Sequence, residues 1–206
     1  MKNVCLGLHD FTVVYNRLDL LLKLKKHFPD FKVSLFIIPY QKREDYGPTL
    51  LKKEFLKEIK KHLDWMQFIP HGFEHQGREM YRMNYEEFAG IILASIQDAL
   101  EEDGLPYEKG FVAPHWQWNE DVVRVLDEMG WWGAVTPIKP DMPKPKVFYE
   151  YNYAIDEPFW ESDKDVLKLH GHVWGCRNDL GLCFNNLLKL PRDIKWNYVT
   201  DYLETK

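Results

Sequence analysis

Short apolar runs alternate with longer amphipathic segments along this chain, and that alternation restricts its fold more than any other feature. The apolar runs, each typical of a buried strand, cover residues 4–8, 32–39, 66–70, 110–114 and 132–137, with later ones near 147–155 and 166–173. Segments with helical spacing cover residues 16–28, 49–62, 84–104 and 119–130. Strands joined through crossover helices run parallel, so the order predicts an α/β fold, either a barrel or an open sheet.

Two of the predicted helices carry start signals. Asn84 precedes the longest one, Glu87 follows three residues later as in a capping box, and Gly104 marks the end. Asn119 stands in the same place before the helix over residues 119–130. We expect both asparagines to be N-caps.

Length and composition predict a single domain over residues 1–206. The chain has no internal repeat and no Gly/Ser linker, and its 45% hydrophobic residues, with 12 Phe, 11 Tyr and 8 Trp, can form a sizeable core. The formal net charge of -5 argues against nucleic acid as a partner, because such binding depends on Lys and Arg neutralising phosphates.

The cysteines and the N-terminal segment bear on location. Cys5, Cys176 and Cys183 are scattered and odd in number, so neither a disulfide framework nor a paired-cysteine metal site is expected. The first residues lack the apolar run of a signal peptide, and no later run approaches the length of a transmembrane span. We therefore expect a soluble, cytoplasmic protein with no membrane partner.

Histidines collect where the predicted strands end. In parallel α/β folds the functional groups lie just past the carboxyl ends of the strands. Six of the eight histidines fall at such ends or in one late strand, and the six are His9, His71, His75, His115, His170 and His172. This clustering is the strongest functional signal in the sequence.

The spacing of His71 and His75 indicates a metal site once Asp10 is added. A pair of histidines four residues apart is a weak signal by itself, and both could be ordinary surface or core residues. Asp10 follows the first strand as the histidines follow the third. Two neutral imidazoles and one carboxylate suit a divalent ion, zinc by default, and such an ion favours hydrolysis of a carbonyl compound.

The order of these residues resembles that of the polysaccharide deacetylase family, which are metal-dependent carbohydrate esterases. The resemblance rests on Asp10 after the first strand, "HGFEH" (71–75) after the third, "FVAPHW" (111–116) after the fourth and a histidine on a late strand. It covers most of the chain, residues 4–174.

The resemblance implies a distorted (β/α) barrel, usually of seven mostly parallel strands, that removes N- or O-acetyl groups from sugars. It implies that Asp10, His71 and His75 are the metal ligands. It also implies that a late-strand histidine protonates the leaving group, and both His170 and His172 are candidates, with His170 slightly favoured by the apolar pattern around it.

The same resemblance places Pro114, His115, Trp116 and Trp118 at the substrate. The backbone near His115 would help to hold the oxyanion, and the two indoles would line a substrate cleft. Tryptophans at 131 and 132 show that this chain also uses indoles in its core, so a core role for Trp118 stays open.

The chain departs from the family at the acid/base positions. Where the family has the aspartate that serves as general base, this chain has His9, and where the family has the arginine that pairs with it, this chain has Val112. An imidazole can be a base at neutral pH. Neighbours on a regular strand point to opposite faces, so His9 and Asp10 share the site only if the strand ends there. Glu74 and Asp156 are the other candidates for the base.

These observations predict a metal-dependent hydrolase that removes an acyl group, most readily N-acetyl, from a sugar or related amide. The substrate would be a small molecule or an oligosaccharide. Two alternatives stay open: a catalytically impaired, carbohydrate-binding relic of the same fold, and a hydrolase of another non-peptide C–N bond.

Overall fold

A computed structural model of the chain describes residues 2–43, 47–49, 53–75 and 80–206, with only the backbone described for 41–43, 47–49, 91 and 92. Its strands are β1 (Asn3–Phe11), β2 (Val33–Ile37), β3 (Gln41–Arg43), β4 (Gly47–Thr49), β5 (Met66–Pro70), β6 (Gly110–Phe111), β7 (Trp132–Val135), β8 (Val147–Glu150), β9 (Tyr153–Ala154), β10 (Val166–His172), β11 (Lys195–Asn197) and β12 (Glu204–Thr205).

Two sheets hold most of these strands, and their strands are mostly parallel. The first has the order β5-β2-β1-β10-β9, with β11 also paired to β1, and every pairing in it is parallel. The second has the order β12-β8-β7-β6, in which only β12 is antiparallel to its neighbour. The predicted α/β fold with parallel strands is confirmed.

Backbone hydrogen bonds join the two sheets at both sides. The amide of Glu108 donates to the carbonyl of Phe68 at 2.9 Å, and the amide of Val112 donates to that of Pro70 at 3.2 Å. On the other side, the amide of Asn152 donates to the carbonyl of Lys168 at 2.8 Å. Because β1, β5 and β10 run parallel in the first sheet, their carboxyl ends lie at the same edge of that sheet. The described strands are not paired into one closed ring.

The helices are α1 (Leu18–His27), α2 (Lys53–Ile59), α3 (Tyr85–Glu87), α4 (Ala94–Glu102), α5 (Glu120–Glu128) and α6 (Leu180–Leu187). A π-helical stretch, Phe88–Leu93, links α3 to α4, so the helix predicted over residues 84–104 forms with one irregular segment. In the segment predicted as a helix over 49–62, Thr49 belongs to β4, residues 50–52 lie outside the described part, α2 covers Lys53–Ile59 and a 3₁₀ turn covers Lys60–His62.

Both predicted N-caps are confirmed. The Asn84 side chain accepts a hydrogen bond from the Glu87 amide at 3.0 Å, and the Glu87 carboxylate accepts one from the Asn84 amide at 2.9 Å. Asn119 Oδ1 accepts from the Val122 amide at 3.1 Å, and its Nδ2 donates to the carbonyls of Tyr81 and Met83. Asn119 therefore both starts α5 and holds the chain that leads into α3.

The core lies on both faces of the first sheet, because its strands are covered by helices on one side and by the second sheet on the other. All five residues of β2 are buried, and so are the predicted core residues Trp131 and Trp132. Among the described residues, no helix combines the length and the apolar character needed to cross a membrane.

Candidate metal site and histidine cluster

The predicted metal ligands converge at the carboxyl ends of β1 and β5. Asp10 Oδ1 lies 3.1 Å from His71 Nε2 and 3.1 Å from His75 Nε2. One potential ligand atom from each of the three lies within 4.8 Å of the others. Asp10 thus meets two histidines that follow it by 61 and 65 positions in the sequence.

The backbone orients the ring of His71. Its Nδ1 lies 3.0 Å from the carbonyl oxygen of Val112, which can only accept, so Nδ1 carries the proton and Nε2 presents a lone pair. Burial lowers the pKa of His71, and the contact with Asp10 offsets that only in part. The ring is therefore neutral, which is the form that binds metals.

The carboxylate of Asp10 is ionised. An aspartate carboxyl has an ordinary pKa of about 3.9, so it is ionised at neutral pH, and 15% of the Asp10 side-chain surface still faces solvent. A carboxylate oxygen and an imidazole lone pair therefore face each other across 3.1 Å, and both are acceptors. Ligands bound to one tetrahedral zinc ion lie about 3.3 Å apart, so this donor set and spacing fit a divalent ion.

Strained backbone conformations cluster at this site. Five described residues other than glycine have positive φ, and four of them are Asp10, His75, His115 and Trp116, at 61°, 57°, 55° and 56°. Each costs about 1–3 kcal/mol unless the surrounding structure compensates, and such residues concentrate at functional sites. Gly72, which stands between the ligands at φ 68°, takes this conformation at no steric cost.

The left-handed backbone conformation of Asp10 explains how His9 and Asp10 can both face the site. Strand β1 does not end there but continues to Phe11, with a shift in its pairing to β2 between Leu8 and Phe11. The positive φ of Asp10 interrupts the alternation of side chains. As a result the His9 ring lies 4.8 Å from the His71 ring while Asp10 also reaches His71.

His9 is packed inside the protein. Its ring centroid lies 4.5 Å from those of Phe36 and His170 and 4.9 Å from that of Trp116. Burial, followed by the neighbouring histidines, holds the pKa of His9 well below its usual value. The adjacent cavity has a volume of only about 10 Å³, about the minimum for one water, which leaves little room for a base to act on that side.

His170 and His172 both lie in the cluster and share one partner, Asn178. In the pairing of β1 with β10, His9 is opposite His172 and Gly7 is opposite His170, so the two rings project from the same face. His172 Nδ1 lies 2.8 Å from Asn178 Oδ1, and His170 Nδ1 lies 3.3 Å from Asn178 Nδ2. Asn178 was not predicted as a site residue, because a single asparagine in a turn gives no signal of a long-range contact.

The predicted substrate residues divide into two groups. Pro114–Trp116 forms a tight turn after β6, which places the His115 ring 5.2 Å from that of His75 and the Trp116 ring 5.3 Å from that of His170. Trp118 instead packs in the core, with 3% of its surface exposed and its Nε1 donating to the carbonyl of Pro143 at 2.7 Å.

A cavity of about 620 Å³ opens beside this turn. Trp116 and Trp118 line it together with Tyr81, Ile138 and the segment 139–143. Lys139 Nζ donates to the carbonyls of His115 and Trp116 at 2.8 and 3.3 Å, which holds the turn in its left-handed conformation. The cavity is large enough for a small ligand, and Trp116, which lines it, connects it to the ring of His170.

The two other candidates for the base differ in position. Asp156 Oδ2 forms an ion pair with Arg177 Nε at 3.0 Å and is not among the grouped ligands. Glu74 lies between His71 and His75 in the sequence, and its side chain is half-buried. The three cysteines are free thiols, two of them buried.

Comparison with known proteins identifies this fold. No protein-family model matches the chain, and no curated protein matches it. Solved structures do match. One is a CE4 family pseudoenzyme from Bacillus anthracis, with a TM-score of 0.61 and 16% identity, which covers 97% of this chain, while this chain spans 64% of that one. A mutant of that pseudoenzyme is described as having restored enzymatic activity.

Two further matches have the names of enzymes. A family 4 acetyl xylan esterase from Clostridium thermocellum, in complex with cobalt, has a TM-score of 0.59 and 12% identity over 97% of this chain and 89% of its own. A peptidoglycan N-acetylglucosamine deacetylase has a TM-score of 0.60 and 13% identity over 99% and 89%. The chain therefore shares the fold of the CE4 polysaccharide deacetylases, and it is divergent from them in sequence.

Proposed function

We propose that the chain is a metal-dependent hydrolase that removes an acyl group, in the first place N-acetyl, from a sugar or a related amide. The observation that carries the proposal is the convergence of Asp10, His71 and His75, with an ionised carboxylate facing an imidazole lone pair at 3.1 Å. The names of the structural neighbours, an acetyl xylan esterase and a peptidoglycan deacetylase, support the reaction class.

Asp10, His71 and His75 would hold one divalent ion, and zinc is the ion that a set of two nitrogens and one oxygen suits best. When bound, such an ion polarises a carbonyl oxygen and makes a water more acidic. Asp10 and His75 keep 15% and 23% of their side-chain surface exposed, so solvent and substrate can reach the ligands from that side.

The remaining residues would position the substrate and move protons. Trp116, between the cavity and the histidines, offers an aromatic wall for a sugar face. The turn of Pro114 and His115, held by Lys139, would present backbone to the developing oxyanion. His170 and His172 are the candidates for the group that returns a proton to the leaving nitrogen.

We also propose that residues 1–206 form one domain and that its two sheets are the halves of a distorted barrel. The hydrogen bonds from Glu108 and Val112 to β5, and from Asn152 to β10, support this arrangement. A barrel of about seven strands would bring the carboxyl ends of β1, β5 and β10 to a single mouth.

A catalytically impaired relic is the second candidate, and the packing of His9 favours it. His9 stands where the family has its base, yet only 2% of its surface is exposed and the space beside it holds at most one water. One structural neighbour is itself a pseudoenzyme. In that case the chain would bind carbohydrate, with or without metal, and would not turn it over.

Acetate release measured together with metal content separates these functions. Zinc-loaded protein is incubated with chitooligosaccharides and small N-acetyl sugars, and zinc is quantified on the same sample, with His71→Ala as the test variant and His27→Ala, on α1, as the control. The proposal predicts one zinc per chain and acetate release in the wild type and in His27→Ala, and neither in His71→Ala.

The other results each decide against part of the proposal. One zinc without acetate indicates the relic, or the hydrolase of another non-peptide C–N bond if a different amide is cleaved. Absence of zinc from the wild type, or full activity in His71→Ala, would contradict the metal-dependent reaction itself.

A further inference from the structure

We propose that Asn178 is a positioning residue that gives the two histidines of β10 opposite tautomers, so that His170 presents an N–H and His172 presents a lone pair. The tautomers follow from the geometry alone. Their use in proton transfer, described below, rests on the proposed function.

Asn178 is held firmly between the two rings. It is buried, and its carbonyl accepts a hydrogen bond from the backbone amide of His172 at 3.0 Å, so it extends the edge of β10. Its side-chain oxygen lies 2.8 Å from His172 Nδ1, and its side-chain nitrogen lies 3.3 Å from His170 Nδ1. One amide thus faces the Nδ1 atoms of both rings.

An amide has an oxygen that accepts and a nitrogen that donates, so the two rings that it contacts take different tautomers. Oδ1 accepts, so His172 must carry its proton on Nδ1, which leaves Nε2 with a lone pair. Nδ2 donates, so His170 Nδ1 must accept, which leaves the proton on Nε2. His170 Nε2 is buried, and none of the described residues offers it a hydrogen-bond partner.

A buried N–H without a hydrogen-bond partner is unfavourable, and the cavity of about 10 Å³ that His9 and His170 both line has room for no more than one water to accept from it. The His170 ring is held in place by packing. Its centroid lies 4.6 Å from that of the stacked Tyr151 ring, and the Tyr151 hydroxyl is hydrogen-bonded to Thr136 Oγ1 at 2.9 Å. His170 is therefore built as a neutral hydrogen-bond donor.

His172 is the ring that can carry a proton. The proton that the attacking water loses, once it reaches His172 Nε2, gives an imidazolium whose Nδ1–H still donates to Asn178 Oδ1. Its release to the leaving nitrogen, as the C–N bond breaks, restores the neutral ring. A second proton on His170 would instead point Nδ1–H at the Asn178 amine, so the amide opposes it. This assigns the role of acid to His172 and reverses the slight preference for His170 drawn from the sequence.

The same amide argues against a second metal ion in the cluster. Ring nitrogens of His9, His170 and His172 lie within 4.8 Å of one another, as ligands of an ion could. Binding through both β10 rings requires a lone pair on each Nε2 and therefore a proton on each Nδ1. Asn178 Oδ1 lies opposite only one of these Nδ1 atoms, so the amide favours the unlike pair of rings.

Nitrogen NMR of histidine-labelled, zinc-loaded protein without substrate tests the tautomers. We expect the His172 signal to show a protonated Nδ1 and the His170 signal a protonated Nε2, with each signal assigned by single His→Gln variants. In Asn178→Asp both side-chain oxygens accept, so the proton of His170 should move from Nε2 to Nδ1 while His172 stays unchanged. A general loosening of the structure would not move one ring selectively.

Asn186→Asp is the matched control, because the Asn186 amide donates to the carbonyl of Ile155 at 3.1 Å and to no histidine among the described residues. It should leave both tautomers as in the wild type. Identical tautomers of His170 and His172 in the wild type would overturn the proposal, as would an Asn178→Asp variant in which His170 is unaltered. If that variant does not fold, the wild-type spectrum decides alone.

Kinetics then separate this inference from the proposed function. In an active enzyme, Asn178→Asp should lower kcat by about 10- to 100-fold with little change in KM, the size of effect expected when the partner of a functional histidine is altered. A protein with the predicted tautomers but no activity would leave the role of Asn178 in orientation intact and contradict only the hydrolase.

Discussion

Replacing Asp10 by asparagine should stabilise the metal-free protein while removing its response to metal. Without an ion, the Asp10 carboxylate and the lone pair of His71 face each other at 3.1 Å as two acceptors. Asparagine has nearly the same shape, tolerates the left-handed conformation of residue 10 and has an amine that can donate to His71 Nε2. The substitution therefore turns a repulsive contact into a hydrogen bond.

The expected gain in the free energy of unfolding of Asp10→Asn is that of one new hydrogen bond. A new intramolecular hydrogen bond contributes about 0.5–1.5 kcal/mol to the free energy of unfolding. In a chain of this length 1 kcal/mol corresponds to about 2–4 °C in Tm, so metal-free Asp10→Asn should melt a few degrees above the wild type.

Zinc should make the wild type melt at a higher temperature than Asp10→Asn, which is the reverse of the metal-free order. An ion bound at a hundred times its Kd stabilises the folded state by about 2.7 kcal/mol, which corresponds to about 5–11 °C for the wild type. The neutral amide is a poor ligand, so most of this rise should disappear in Asp10→Asn.

Scanning calorimetry at pH 8, with chelator or with zinc, measures both effects. Asp19→Asn, an exposed aspartate on α1, is the control, and it should change the free energy of unfolding by no more than about 0.5 kcal/mol in either condition. A metal-free wild type more stable than Asp10→Asn would refute the reasoning. It would mean that His71 is protonated and that the site is a buried ion pair.

Three further predictions concern other parts of the chain. His75→Ala should abolish stoichiometric zinc binding measured by elemental analysis, whereas His62→Ala, on the 3₁₀ turn after α2, should retain one zinc per chain. Gly110→Ala should lower the free energy of unfolding by about 1–3 kcal/mol in urea, because a Cβ there would lie 2.1 Å from Cε2 of Trp132, and an unchanged midpoint would contradict that packing. Asn119→Ala should cost about 0.5–2 kcal/mol through loss of the α5 cap, and a neutral effect would show that the cap is not needed.

The sequence predicted the parts of the fold that depend on local pattern. Buried strands such as β2 and β5 follow directly from apolar runs, and Asn84 and Asn119 were recognisable as caps because their partners are three residues away. Helix α6 and the short strands β11 and β12 were missed. Two or three residues carry too little periodicity to stand out, and α6 has only eight.

The site was predictable in its residues more than in its geometry. The grouping of Asp10, His71 and His75 at strand ends was visible, and the structure brings them together. The left-handed backbone at Asp10 was not, because aspartate adopts that conformation only occasionally and a regular strand does not contain it. The contact of Asn178 with two rings depends on tertiary packing alone.

An anomalous difference map from a crystal of the zinc-loaded protein, collected at the zinc edge, tests the central claim most directly. The account predicts one peak at about 2.0–2.2 Å from Asp10 Oδ1, His71 Nε2 and His75 Nε2. A map with no peak there, or with its peak among His9, His170 and His172 instead, would contradict it.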